Sequence, residues 1–138
     1  MELSALLYLS GLFSLTLGSI HIFLPILLDF KTAIPIESVA LKPFRLLFVH
    51  YATLRSDILG IAWVMNHAAS YVLISIGVLD LLWPIWLHTA IGPLLAIWMA
   101  GWWLIRALSQ FYLGRRRGDW LILAWFLALA ILHLAVAL

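Results

Sequence analysis

The sequence predicts an all-α integral membrane protein: four transmembrane helices in an antiparallel bundle, with a short interfacial helix between the first and the second. Three observations predict it. The 138 residues are 66% hydrophobic and 10% charged, with a mean hydropathy of +1.13, whereas soluble domains carry about 45–50% apolar and about 25% charged residues. The apolar residues gather in four runs of about 20, the length that crosses a bilayer core. Seven of the eight lysines and arginines gather in two of the connections between those runs, and Arg106 lies just inside an adjoining helix end, as the orientation of membrane helices requires. Too few polar side chains remain to cover a water-facing surface, and residues 1–138 are expected to form a single four-helix transmembrane domain.

The first span is expected over about 3–28, ended by Pro25, Asp29 and Lys31. It lacks a positive leading segment and is too long for a secretory leader, so it is read as a retained span. The second runs over about 58–82, after Arg55-Ser56-Asp57 and up to Asp80 and Pro84. The third covers about 85–108 after a tight connection centred on Leu82-Trp83-Pro84, with a kink expected at Pro93 because proline removes a backbone donor. The fourth covers about 120–138. Between the first two spans, Phe44, Leu47, Phe48 and Tyr51 follow a helical i, i+3, i+4, i+7 spacing behind Pro43. That predicts an interfacial helix over about 43–54, with Lys42, Arg45, His50 and Arg55 toward headgroups. An early start of the second span is the competing reading.

Lys31, Lys42, Arg45 and Arg55 lie in the first connection, and Arg115, Arg116 and Arg117 in the third. Both termini are therefore expected on the non-cytoplasmic side and both basic loops in the cytoplasm. The same placement accounts for the net charge of +2 without nucleic acid. Cysteine is absent, which excludes thiolate metal sites, iron–sulfur clusters and cysteine nucleophiles. No phosphate loop, dinucleotide fingerprint, nucleophile elbow or zinc helix is present. No catalytic residue and no metal site is assigned, and whether the chain is an enzyme stays open.

Four of the five histidines fall within the expected spans. Ionisable side chains at membrane depth are the default place to look for function. Counted at 1.5 Å per residue, His21 and His67 lie roughly 10 and 13 Å from the cytoplasmic side, and His88 and His133 roughly 5 and 7 Å below the outer one. Two such layers would suit paired imidazole ligands of haem b. The plain alternative is that each ring satisfies a neighbouring helix. On the first span Gly11, Ser14, Gly18 and His21 share a face of small residues that favours close packing. On the second, Asn66, His67, Ser70 and Tyr71 make the most polar patch at membrane depth, readable as interhelical glue or as the wall of a pocket that His50 could cover. On the third, His88, Gly92, Leu95, Met99, Trp102 and Arg106 form a stripe.

Three functions are consistent with these residues. The leading one is a small non-catalytic subunit within a larger membrane assembly, embedded in lipid and packed on a membrane-protein partner or on further copies of itself. The second is a haem b electron-transfer protein using His21, His67, His88 and His133. The third is a membrane enzyme acting on a lipid-like substrate around His67.

Overall fold

A computed structural model describes residues 3–34, 44–46, 49–51, 55–112 and 118–138, with side chains given for 3–34, 58–112 and 118–138. The described chain is helical apart from one short hairpin. Its elements are α1 (Leu3–Leu27), α2 (Phe30–Ala33), β1 (Phe44–Leu46), β2 (Val49–Tyr51), α3 (Arg55–Leu81), α4 (Trp83–Trp86), α5 (Gly92–Ser109), a 3-10 turn over Gln110–Tyr112, and α6 (Asp119–Ala137). Four stretches are long and apolar enough to cross a membrane: Leu3–Leu27, Ile58–Leu81, Gly92–Tyr112 and Asp119–Ala137. They fit an integral multi-pass membrane protein.

Two expectations about the elements are corrected. Residues Phe44–Leu46 and Val49–Tyr51 are antiparallel strands, with Phe44 paired to Tyr51, Arg45 to His50 and Leu46 to Val49, not parts of an interfacial helix over 43–54. Both periods were present in the sequence. Phe-Arg-Leu and Val-His-Tyr alternate with period two and use aromatic and β-branched residues that favour strands. The remaining residues of that predicted helix, 43, 47, 48 and 52–54, lie outside the described residues. The third span is corrected as well. Its helix begins at Gly92 rather than near Ile85, with Pro93 in its first turn, where a missing N–H costs no helical hydrogen bond. Proline therefore starts this helix instead of kinking it. The connection from α3 is accordingly longer than a tight turn: α4 and a bend over 87–91 intervene. By contrast, α1 continues two residues past Pro25 and ends at Leu27, shortly before Asp29, whose backbone is left-handed at φ 43°, a conformation that aspartate tolerates better than most residues.

The chain divides into two compact units, Met1–Phe13 with Ile76–Leu138, and Ser14–Ser75. In the first, α5 turns a face of small residues inward: Ala96, Ala100 and Ala107 are buried together with Met99 and Trp103. Their spacing of three, four and seven keeps one helical face against α6, and small side chains let membrane helices approach closely. Trp103 fills the space beside them, 6.2 Å from the ring of Phe13 and 5.4 Å from that of Phe126. Gly11 belongs to the same kind of contact, since a Cβ there would lie 3.0 Å from the carbonyl oxygen of Gly77. The Trp86 indole donates to the carbonyl of Leu79 at 2.6 Å, fastening α4 to the last turns of α3.

In the second unit the same device recurs. A Cβ on Gly18 would meet Ile74 Cγ1 at 2.8 Å and Leu73 Cβ at 3.1 Å, so the glycine is what permits that approach. Asn66 Nδ2 donates to the carbonyl of His21. Ascending α1 from 18 to 21 thus descends α3 from 74 to 66.

Candidate functional site

His133 sits on α6, four residues before its end, and Asp80 is the penultimate residue of α3. Both are within the first unit, and both have 0% exposure. His133 Nε2 lies 3.0 Å from Asp80 Oδ1, and His133 Nδ1 lies 2.7 Å from the carbonyl oxygen of Leu129 one turn earlier. The contact brings together residues 53 positions apart and sets the C-terminal ends of α3 and α6 at one level.

The hydrogen-bond pattern fixes the chemistry of the pair. A backbone carbonyl only accepts, so Nδ1 must carry a hydrogen. One further proton must then lie between Nε2 and Oδ1, whichever atom it is bonded to. Imidazolium with carboxylate and imidazole with carboxylic acid both satisfy this, and in each the pair is neutral. Neutrality is what an apolar interior demands, because a lone buried charge is far costlier than a compensated one. The other carboxylate oxygen, Asp80 Oδ2, is buried without a hydrogen-bond partner among the described residues.

Asp80 is the functional candidate that the sequence reading passed over. In the sequence Asp80 reads as the marker of a helix end, and depth relates the histidines only to one another. The usable signal was its matching position: it lies one residue from the end of the second span, as His133 lies four from the end of the fourth.

The remaining candidate residues are distributed as follows. His88 lies in the bend between α4 and α5 and is exposed, outside any span. His133 therefore faces Asp80 and not His88, and the Nε2 atom that a haem iron would need there is engaged by the carboxylate. That half of the haem arrangement does not fit. In the second unit His21 is half-buried, whereas His67 is exposed. The His67 ring stacks on Trp63, with centroids 5.6 Å apart and planes at 17°, and its Nδ1–H donates to the Trp63 carbonyl at 2.8 Å. In the neutral ring Nε2 is then an acceptor. Trp63 in turn meets Phe30 edge-on at 6.4 Å.

Asn66, His67, Ser70 and Tyr71 do not converge on one pocket. Asn66 and Ser70 are buried, and the Ser70 hydroxyl donates to the Asn66 carbonyl at 2.8 Å. His67 and Tyr71, one residue on from each, lie on the outer side of the same helix, where Tyr71 is 74% exposed. The side chain of His50 lies outside the described residues. Among the described residues no group of three or more histidine, cysteine, aspartate or glutamate side chains stands ready for a metal ion. A cavity in the first unit, of about 310 Å³, is bordered by Leu6, Leu9, Ser10, Trp125, Leu129 and Leu132 among others. Its walls are almost wholly apolar, so it suits hydrocarbon and offers no catalytic groups. Comparison with known protein families, curated proteins and solved structures finds no match.

Proposed function

We propose that the chain is a non-catalytic subunit of a larger membrane assembly, and that a membrane-protein partner covers the His67–Tyr71 face of α3. The observation that carries this reading is the position of Tyr71. It lies within the Ile58–Leu81 span, roughly 20 Å from one end and roughly 15 Å from the other at helical rise. That is too deep for the side chain to reach a headgroup layer by bending along the helix. Yet Tyr71 is 74% exposed, and the described residues give its hydroxyl no partner. A hydroxyl facing hydrocarbon without a hydrogen bond costs several kcal/mol, in order of magnitude.

One turn away, His67 presents an acceptor nitrogen on the same face. Around both lie exposed apolar residues, Val64 and Met65 among them. Gly60 has open space beside its Cα, which allows another helix to come close. A donor, an acceptor and a small residue on one lipid-facing side suit a partner helix bearing complementary polar groups, either on another protein or on a second copy of this chain. Lysine and arginine placement orients the proposed subunit with both termini non-cytoplasmic.

Purification in mild detergent from native membranes tests the reading. The wild-type chain is expected to carry a companion at fixed stoichiometry, and the double variant Tyr71→Phe, His67→Leu to lose it while keeping its helix content. A wild-type chain that runs as a lone monomer, or a double variant that retains the companion, contradicts it. A Soret band in the same preparation would return haem to consideration.

A further inference from the structure

We infer that Asp80 and His133 form a one-proton exchange site, with Asp80 Oδ2 as its point of entry. The site rests on residues separate from the His67–Tyr71 face, so it stands or falls independently of the partner reading. Three observations on the first unit carry it. Nδ1 is committed to the Leu129 carbonyl, so all exchange must involve the Nε2–Oδ1 line. That line holds one proton at a heavy-atom separation of 3.0 Å. Oδ2, on the same carboxyl group, is buried and has no partner among the described residues, although a buried acceptor without a donor costs about 1–3 kcal/mol.

The two oxygens of one carboxyl group let a proton arrive at one while another is held at the other. A proton delivered by water to Oδ2 leaves the carboxyl protonated there, with the proton on the Nε2–Oδ1 line now held by His133 as imidazolium. Loss of the Oδ2 proton to water restores the neutral pair, whereas loss of the proton on the Nε2–Oδ1 line is completed by a turn of the carboxyl group that brings the new proton onto that line. No electron moves, and water is the only co-reactant. The pair lies roughly 6 Å from the end of α6 at helical rise, close enough to one membrane surface for exchange with that side alone. Among the described residues, the ion pair recorded for either group is the one they form with each other. The α1 segment before Ser14 contributes only Tyr8 as a titratable group among its described residues, and α4 contributes none. His88, in the bend, is exposed. On α5 the one charged side chain is Arg106, which lies 5.5 Å over the ring of Phe126, two turns of α6 away from His133. Asp119 stands at the opposite end of α6.

Infrared spectroscopy of the purified chain in detergent tests the inference, with Asp80→Asn as the reference. Asparagine keeps a neutral hydrogen bond, its Nδ2–H donating to Nε2, while removing the exchangeable carboxyl proton. The wild type is expected to show a carboxyl band absent from D80N that shifts on transfer to D2O before the helix-core amides exchange. An Asp80-dependent band that moves only together with those amides, or no such band at all, overturns the site in favour of a locked tether. Should D80N fail to fold, His133→Gln with carboxyl-labelled aspartate provides the same assignment. The Asp80 band must then change position in H133Q, where its neighbour is a neutral amide, and an unchanged band likewise overturns the site.

Discussion

His133 and His67 make an instructive pair. Each lies within an apolar helix, and each donates through Nδ1 to the carbonyl four residues earlier. Beyond that they diverge. His133 is fully buried and its second nitrogen is met by Asp80, from elsewhere in the same chain. His67 is exposed, stacked on Trp63, and its second nitrogen faces outward. The local helical hydrogen bond is therefore no guide to role, because both rings make it. What separates them is the other nitrogen: the chain itself completes one site and leaves the other to whatever surrounds the protein. The first unit accordingly reads as internally closed around its polar pair, and the second as unfinished on one face.

Substitutions can break or sharpen this contrast. The largest effect is expected for Asp80→Leu, which strands His133 Nε2 in a dry interior. Removing one partner of a buried pair costs about 3–5 kcal/mol, and thermal unfolding in detergent should show it, whereas Asp80→Asn should stay within about 1 kcal/mol of wild type because a hydrogen bond remains. Next comes Gly18→Leu, which forces a side chain against Leu73 and Ile74 where even a Cβ has no room. Overpacking of this kind costs about 1–3 kcal/mol, and it would show that the second unit closes through small residues rather than through its histidine. His67→Leu should change the stability of the isolated chain by no more than about 0.5 kcal/mol, yet weaken its association in native membranes. A destabilisation as large as that of D80L would erase the contrast. The smallest effect is expected for Gly60→Ala, with open space beside it. It should stabilise the isolated chain by about 0.5–1 kcal/mol through helix propensity, while adding a methyl group to the face assigned to the partner.

The spans were legible because crossing hydrocarbon is a demand on each residue singly: a run of apolar side chains declares itself without knowledge of its neighbours. The start of the third helix was not, since proline at a helix start and proline at a kink look alike until the preceding turn is seen. Pro93 was placed correctly in the sequence and wrongly in the helix. The strands at 44–46 and 49–51 were masked by a coincident helical spacing through Phe44 and Tyr51. On α5 the stripe through Leu95, Met99 and Trp102 was drawn by following large residues, whereas the inward face is set by Ala96, Ala100 and Ala107. In lipid, size rather than hydrophobicity distinguishes the packed side of a helix, because both sides are apolar. The Asp80–His133 pair depends on which helices adjoin, and a single sequence does not state that directly.

The central claim is that protein, not lipid, covers the mid-span face of α3. A photoreactive residue placed at Tyr71 and illuminated in native membranes tests it most directly. The account predicts a crosslink to one discrete polypeptide, reduced when His67→Leu is added. Adducts with lipid alone, unchanged by that second substitution, would contradict it.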